Sequence, residues 1–493
     1  MFDSETTLDP SDWVSLRAQS HRMLDDMLDY VSQIRQSPVW QAAPESVEKA
    51  FTAPLPSAPQ SLSATHDAFM QNVVPYAIGN SHPGFMGWVH GGGSVVGMLA
   101  EMLAAGLNSN LGGRDQIPIQ VEQQVVRWMQ QLFEFPESAS GLFVTGSSMA
   151  NLVGLLVART SKLGTEVRGK GLQQVQEQLV AYTSVDSHSC LERAREMAGM
   201  GGHQLRKIEV NDRHQMNLLA LQENIERDKA LGFTPFCIIG TAGTVNVGAI
   251  DDLHAIAEIA QKNKMWFHVD GACGALGMMS PKIGSKMIGI QRADSIALDF
   301  HKWGQVPYDA GFILVRDSRL HYDTFASSAD YLRRETRGMS AGSPWPCDFG
   351  PDLSRSFKAL KVWFTMQVFG SERLAKMMET SCELAEYMAS CIEASEELEL
   401  LAPVNLNIVC FRYRCENADR VNADRVNADI VVAVQESGIA APSSTTIRGK
   451  FAIRAALFNH RTSRVEIDNL LAASIRFGRS LRKSYEVTEC NSL

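Results

Sequence analysis

The chain has 493 residues, of which 45% are hydrophobic and 20% charged, a composition typical of a globular protein with a large core. Its formal net charge of −9 argues against the basic patch that nucleic-acid binding requires. The nine cysteines are scattered and include no C-x-x-C pair, which argues against a disulfide framework or a zinc site. We therefore expect a chain from a reducing cytoplasm, with no nucleic-acid partner and no metal ion.

The N-terminal region begins with the acidic stretch MFDSETTLDPSDW, which has no apolar core, so we expect no signal peptide. Glu101 interrupts the apolar run GSVVGMLAEMLAAGL, so we expect no membrane span. Residues 11–36 carry apolar side chains at helical spacing, which predicts an amphipathic helix. The stretch TAPLPSAPQSLSA that follows is typical of a linker or an extended arm. We assign residues 1–89 to a helical N-terminal segment.

Helical and strand patterns alternate from about residue 90 to 316, which predicts an α/β fold with a mostly parallel sheet. The predicted helices are 119–133, 150–162, 190–200 and 252–263. The predicted strands are GLFVT, LVAYTS, CIIGTA, MWFHVD, SIALD and GFILV. We assign residues 90–370 to this large domain.

Residues 371–493 form the third predicted unit, a small α+β domain with strands NIVCFRYR and FAIRAAL. Between these strands lies NADRVNADRVNAD, a short tandem repeat. We interpret the repeat as a replicated insertion in a surface helix rather than as a functional element.

Polar side chains follow five of the predicted strands of the large domain, and ligands gather at the carboxyl ends of parallel strands. Each of these residues has an ordinary structural explanation, such as a helix N-cap for serine or aspartate and a solvated surface turn for lysine. Together they provide an anion cradle, an imidazole, a hydroxyl, a carboxylate and an amine. The residues are Ser147 and Ser148, His188, Thr244, Asp270, and Lys302.

One cofactor requires this combination of groups. Pyridoxal phosphate needs an anion cradle for its phosphate, a carboxylate for its pyridine nitrogen, a flat side chain against its ring and a lysine for its imine. The sequence therefore predicts a pyridoxal-phosphate enzyme, in which apolar walls help to keep Lys302 reactive.

The sequence resembles the group II pyridoxal-phosphate-dependent amino-acid decarboxylases, which include the aromatic-L-amino-acid, glutamate and diaminobutyrate decarboxylases. The resemblance spans residues 10–480. Its motifs are TGSSMANL, SHSCLERA, HVDGACG and ADSIALDFHKW. It implies a fold-type I, aspartate-aminotransferase-like architecture and a two-fold homodimer with active sites at the interface. The implied reaction converts an L-amino acid to its amine and carbon dioxide.

The resemblance also implies roles for individual residues. Lys302 forms the imine with the cofactor, Asp270 binds the ring nitrogen, and His188 and Ala272 lie on opposite ring faces. Ser147 and Ser148 take the phosphate, Thr244 lies near the ring substituents, and His301 supports the phosphate or its loop. Tyr331 matches a loop tyrosine that donates a proton, and Arg454 meets the substrate carboxylate.

Three features at the pocket depart from the family pattern or qualify it. Residues 107–118 match a segment that reaches the partner's pocket, where aromatic-specific members carry bulky apolar groups. This chain has small or polar residues there, namely Asn110, Gly112 and Gly113, with Arg114 beside them. At another pocket position, Phe85 keeps an aromatic side chain. Asp299 stands where some members have asparagine, and we expect it to bond backbone N–H groups or His301, because a phosphate would repel it.

Alternative functions remain at this point. On the same scaffold, the alternative is an oxidative decarboxylase that makes an aldehyde. A serine hydrolase is favoured by HGGG at 90–93 and GMSAG at 338–342, but no strand pattern precedes Ser340 and no helix pattern follows it, so we interpret both motifs as chance matches. An inactive binding protein would be expected to lack Lys302, Asp270 or His188, and all three are present.

Reduction of the protein with borohydride tests the cofactor assignment. We expect it to fix a phosphopyridoxyl group on Lys302, because reduction turns an imine into a stable amine. Peptide mapping locates the label, and Lys302→Ala should carry none. A label on any other lysine would contradict the assignment.

Overall fold

A computed structural model describes residues 7–327, 334–415 and 420–490 of the chain. Fifteen α-helices lie in these ranges. They are α1 Trp13–Gln33, α2 Glu45–Ala50, α3 Leu62–Asn72, α4 Val95–Leu107, α5 Ile117–Leu132, α6 Ser147–Leu163, α7 Val167–Lys170, α8 Cys190–Met197, α9 Leu218–Ala230, α10 Leu253–Lys262, α11 Pro281–Gly284, α12 Ser318–Phe325, α13 Lys358–Glu393, α14 Arg420–Glu436 and α15 Arg464–Cys490.

Twelve strands in the same ranges form two sheets. They are β1 Phe85–Met86, β2 Ser140–Val144, β3 Leu179–Ser184, β4 Leu205–Ile208, β5 Thr234–Thr241, β6 Trp266–Asp270, β7 Ser295–Asp299, β8 Gly311–Val315, β9 Leu398–Leu400, β10 Ile408–Tyr413, β11 Ala441–Ile447 and β12 Lys450–Ala456.

The large sheet has seven strands in the order β2-β8-β7-β6-β5-β3-β4. Strand β8 runs antiparallel to both of its neighbours, whereas β7, β6, β5, β3 and β4 are mutually parallel. All residues of β2, β3, β6, β7 and β8 are buried, as expected for a sheet covered by helices on both faces. The predicted α/β fold with a mostly parallel sheet is confirmed, and the parallel strands bring their carboxyl ends to one edge.

The second sheet has the order β1-β11-β12-β10-β9 and is built mainly from the C-terminal part of the chain. Strand β1 belongs to the predicted N-terminal segment and pairs with β11, with Phe85 opposite Ala441. Helix α13 runs across the predicted boundary at residue 370, where Gly370 breaks the helical geometry with φ 69°. The largest core cluster includes buried residues from both sides of this position. The three-domain division stays a prediction.

The tandem repeat lies mostly in α14, and residues 416–419 lie outside the described part of the chain. The helix is present and buries one of its faces, as a surface helix does, and the interpretation of the repeat as an insertion stays a prediction. Asn427 is fully buried; it accepts a hydrogen bond from the Tyr413 N–H at 2.8 Å and donates to the Tyr413 carbonyl at 3.1 Å. The repeat therefore packs against β10.

No helix in the described ranges is long and apolar enough to cross a membrane. The part of the chain that the structure describes also contains no cluster of three or more histidine, cysteine, aspartate or glutamate side chains that could hold a metal ion.

Candidate active site

A cavity of about 600 Å³ opens at the carboxyl ends of the parallel strands and reaches β11 and β12 of the second sheet. Eight residues predicted from the sequence line it. They are Ser147, Ser148, His188, Asp270, Ala272, His301, Lys302 and Arg454. The structure therefore brings together side chains that lie more than 300 positions apart in the sequence, as the strand-end rule predicts for Ser147, Ser148, His188, Asp270 and Lys302.

Asp299, at the end of β7, is the buried centre of this arrangement. Its Oδ1 accepts a hydrogen bond from the Ser147 N–H at 2.7 Å, and its Oδ2 accepts one from the Ser147 hydroxyl at 2.7 Å. The Nζ of Lys302 lies 2.8 Å from Oδ2, and Nε2 of His301 lies 3.7 Å from Oδ1. Asp299 thus makes the backbone bond expected from the sequence, and it also binds the lysine.

The charge of Lys302 is controlled by this ion pair. Burial works to lower the pKa of Lys302, but the acidic groups around it, Asp299 foremost, together outweigh burial and raise that pKa above its usual range. In return, although burial favours the neutral acid, the positive charge of Lys302 holds the pKa of Asp299 below its usual range. The apolar walls alone therefore do not set the state of Lys302, because Asp299 keeps its amine protonated.

Asp270, at the end of β6, faces the same cavity. It is 4% exposed, and burial raises the pKa of its carboxyl group. Its Oδ1 accepts a hydrogen bond from the N–H of Ala272 at 3.2 Å. His188 reaches the cavity from the loop before α8, and its Nδ1 accepts a hydrogen bond from the N–H of Cys190 at 3.1 Å, which fixes the ring.

The N-terminus of α6 forms the polar end of the cavity. Gly146 is its N-cap, and the hydroxyl of Ser147 is already bonded to Asp299, whereas Ser148 is exposed towards the cavity. The free N–H groups of a helix N-terminus bind anions. The donor set of helix N-terminus, buried carboxylate, imidazole and lysine fits a flat, phosphorylated, imine-forming cofactor.

Arg454, on β12, lies at the opposite side of the cavity and is 3% exposed. Its guanidinium donates to the carbonyl oxygens of Trp88 at 2.8 Å, Val245 at 3.0 Å and Asn246 at 3.2 Å. It also donates to the hydroxyl of Ser443 at 3.0 Å. Arg454 therefore fixes two backbone segments and the Ser443 side chain around the cavity, and its contact with a substrate carboxylate stays a prediction.

Four other predicted residues in the described ranges, Thr244, Phe85, Asn110 and Gly112, do not line the cavity. The Thr244 hydroxyl accepts a hydrogen bond from the Ala249 N–H at 3.0 Å and is fully buried. Phe85 is buried behind the lining, with its ring 5.6 Å from that of His90. Asn110 accepts bonds from the N–H groups of Gly112 and Arg355, outside the cavity of its own chain. Tyr331 lies outside the described residues.

Sequence reasoning missed several residues of the cavity wall. The most prominent are aromatic: Trp88 and Tyr308 are 53% and 48% exposed, and the ring of His90 lies 6.1 Å from Trp88 and 5.6 Å from Tyr308. Other missed wall residues follow strands of the large sheet or belong to the second sheet. They include Thr145, Cys190, Thr241, Val245, Asn246, Cys273, Ser443 and Ser444. Thr241 is the last residue of β5, whereas the predicted strand CIIGTA extends one residue further, to Ala242, so the strand-end rule passed over it.

The HGGG motif has a structural explanation. A Cβ at Gly91 would lie 2.3 Å from the Lys302 carbonyl oxygen, and one at Gly92 would lie 2.5 Å from Asn459 Oδ1. The run therefore allows close packing against the lysine loop. Ser340 of GMSAG lies in a turn, and within the described residues 334–345 no strand precedes it and no helix follows it. This context agrees with a chance match.

Comparison with known proteins identifies the chemistry of this cavity. Residues 44–414 match the family described as the pyridoxal-dependent decarboxylase conserved domain. The chain belongs to this family. It is an amino-acid decarboxylase, a lyase that uses pyridoxal 5'-phosphate, as the sequence predicted.

Two curated relatives and one solved structure illustrate the range of the family. The chain is 31% identical over 461 residues to an aromatic-L-amino-acid decarboxylase of Bacillus atrophaeus, covering 92% of this chain and 93% of the relative. It is 28% identical over 475 residues to a phenylacetaldehyde synthase of Arabidopsis thaliana, covering 92% and 94%.

The solved structure is the glutamate decarboxylase domain of diaminobutyrate-pyruvate transaminase and L-2,4-diaminobutyrate decarboxylase from Vibrio parahaemolyticus. It superposes with a TM-score of 0.85 at 28% identity, covering 96% of this chain and 97% of that one. The predicted fold-type I architecture of the decarboxylase is confirmed.

Gly311→Ala tests the cofactor cradle of the decarboxylase. Gly311 pairs with Asp299 across β7 and β8, and a Cβ there would lie 2.3 Å from the Cα of Gly146. Because the contact is with backbone, the N-terminus of α6 must shift. We expect cofactor affinity to fall at least tenfold and stability to fall by about 1–3 kcal/mol.

The matched control is Gly169→Ala, an exposed helical glycine with open space around its Cβ position. This variant should be as stable as the unmodified protein or more stable. Cofactor titration and urea unfolding measure both variants. Unchanged cofactor binding in Gly311→Ala would show that α6 is not held through this contact.

Proposed function

We propose that the decarboxylase acts on aromatic L-amino acids, releasing carbon dioxide and the corresponding amine. The observation that carries the proposal is the group of rings at the cavity mouth, Trp88, His90 and Tyr308, with Phe85 behind them. Aromatic rings pack favourably against one another and against a flat apolar ligand. The similarity to the Bacillus atrophaeus enzyme supports the same substrate class.

The charges in the cavity support an uncharged substrate side chain. Among the described lining residues, the charged groups besides histidine are Asp270, Asp299, Lys302 and Arg454. All four already have a proposed partner. These partners are the ring nitrogen for Asp270, the lysine for Asp299, the cofactor imine for Lys302 and the substrate carboxylate for Arg454. An acidic or diamino substrate would need another charge of opposite sign. Arg114 is instead stacked on Trp345, with its guanidinium carbon 4.5 Å from the ring centroid.

Each site residue has a proposed task in this reaction. When bound, pyridoxal phosphate accepts the electron pair that remains when the Cα–carboxylate bond breaks. Asp270 holds the proton on the ring nitrogen, His188 and Ala272 confine the ring, and Ser148 with the N-terminus of α6 binds the phosphate. Thr244 and His301 support the loops around the cofactor.

The remaining roles concern the substrate and the protons. Asp299 would hold the positive charge of the Lys302 nitrogen in the cavity. Arg454 orients the departing carboxylate, and Tyr331 supplies the proton at Cα, which favours amine over aldehyde.

We also propose that the enzyme is a cytoplasmic homodimer in which residues 107–118 complete the partner's pocket through Asn110 and Gly112. Among the described residues of α1 none is buried, and Trp13 and Val14 are 62% and 80% exposed. Helix α4 also exposes apolar side chains, including Leu107 at 62%. An apolar surface of this kind is typical of an interface.

Product analysis tests the proposed reaction. With L-tryptophan, L-tyrosine, L-phenylalanine, L-glutamate and L-2,4-diaminobutyrate as substrates, carbon dioxide, amine and peroxide are measured for each. We expect amine equal to carbon dioxide and the highest kcat/KM with an aromatic substrate. Peroxide equal to carbon dioxide would show an aldehyde synthase, and preference for glutamate or diaminobutyrate would refute the substrate class.

Leu107→Asp tests the dimer, with Leu219→Asp as the control. Leu219 is 74% exposed on α9, away from α1 and α4. We expect Leu107→Asp to sediment as an inactive monomer, because a buried charge at an apolar interface is costly, whereas Leu219→Asp should remain an active dimer. An active monomer of either form would contradict the shared site.

A further inference from the structure

Thr241 is a cavity residue to which the roles above assign no task. It ends β5 and is the parallel-register partner of Asp270 at the end of β6. Its side chain is 4% exposed, and its hydroxyl has no hydrogen-bond partner among the residues that the structure describes. Register partners in a parallel sheet point to the same face, so the side chain of Thr241 lies beside that of Asp270.

The backbone of Thr241 is firmly held, which leaves only the side chain free to turn. Its N–H donates to Oδ2 of Asp251 at 2.8 Å, and its carbonyl accepts from the Asp251 N–H at 3.0 Å. Asp251 is itself buried. A buried hydroxyl without a partner destabilises a fold, and such groups in native proteins call for an explanation.

The carboxylate of Asp270, in turn, has few hydrogen-bond donors. Its one hydrogen bond from the described residues comes from the N–H of Ala272, at 3.2 Å. A carboxylate buried this deeply stays ionised only when donors or positive charges surround it, and hydrogen bonds to the charged form lower its pKa.

We propose that Thr241 is a positioning residue for Asp270, whose carboxylate accepts a hydrogen bond from the Thr241 hydroxyl when Asp270 holds the ring nitrogen of the cofactor. A turn about one side-chain bond directs the hydroxyl to its neighbour. The hydroxyl oxygen is closed off from solvent, so the neighbouring carboxylate is a better partner than the cofactor itself. The inference rests on the proposed role of Asp270.

The substitution Thr241→Val separates this role from a purely structural one. It removes a hydroxyl that has no partner in the chain alone, so the cofactor-free protein should be as stable as the unmodified protein or more stable. Cofactor binding should weaken about 10- to 100-fold, because a hydrogen bond to a charged group is lost. Thr241→Ser keeps the donor and should restore most of the affinity.

The matched control is Thr183→Val. Thr183, on β3, is fully buried, its hydroxyl also lacks a partner among the described residues, and it does not line the cavity. Its substitution should affect the stability of the cofactor-free protein similarly and leave the cofactor dissociation constant within twofold. Urea unfolding and absorbance titration with pyridoxal phosphate provide these values.

The pH dependence gives an independent measurement. Loss of the donor raises the pKa of Asp270, so the acidic limit of cofactor binding should move to higher pH in Thr241→Val. The variant Asp270→Asn, measured in parallel, tests the proposed role of Asp270 itself. This substitution should abolish the acidic limit of cofactor binding and most of the activity. If Asp270→Asn binds cofactor and turns over normally, the proposed role of Asp270 fails, and the inference with it.

If Asp270→Asn is impaired while Thr241→Val binds the cofactor as the unmodified protein does, only the role of Thr241 fails. Equal weakening by Thr183→Val would likewise overturn it, because the effect would then be general.

Discussion

The ion pair of Asp299 with Lys302 is the interaction on which the rest of the site depends. One carboxylate binds the N-terminal residue of α6 through both N–H and hydroxyl, and it also holds the ammonium of the lysine three positions later. The carboxylate of Asp299 thereby holds β7, α6 and the amine of Lys302 in fixed positions relative to one another. Because the carboxylate takes the first N–H of the helix, and the N–H groups of Met149 and Ala150 donate to the Gly146 carbonyl, an incoming phosphate depends on the donors of Ser148 at this helix end.

The other side of the cavity depends on a different kind of constraint. Arg454 is bonded to backbone carbonyl oxygens and one hydroxyl, with no carboxylate among the partners described for it. Its positive charge is therefore held in place by dipoles and remains available to an anion in the cavity. The two sides of the cavity therefore differ in charge balance. The charge of Asp299 is neutralised by Lys302, whereas the charge of Arg454 has no counter-charge among its described partners.

The large sheet could be predicted from the sequence because most of its strands are buried on both faces. The segments LVAYTS, SIALD and GFILV coincide with β3, β7 and β8. Strand β4 was missed because its sequence, LRKI, has two charged residues between its apolar ends and lies at the edge of the sheet, and β11 was missed because APSSTTI consists largely of hydroxyl residues. Such strands form through their neighbours rather than through their own apolar pattern.

The site was predictable where one strand end determines it, as at Asp270 and Lys302. Site residues that are placed by tertiary contacts could not be predicted. Trp88 and Tyr308, for example, enter the wall from loops whose course the sequence pattern does not specify. The hydroxyl nearest the cavity on β5 belongs to Thr241, three positions before the threonine that the motif indicated. Motifs locate a loop, whereas the last residue of the strand determines which side chain faces the ligand.

The bend at Gly370 has a consequence for how the chain can vary. One half of α13 packs on α4 and α5, and the other half reaches β9, β10 and α15. Each residue added to a helix turns everything beyond it by about 100° and advances it by about 1.5 Å. A single insertion or deletion within either half of α13 would therefore rotate the residues beyond it, up to the bend or the helix end, away from their packing partners. Length variation among homologues should fall in the loops or at Gly370, where the helical geometry is already broken, rather than within either half.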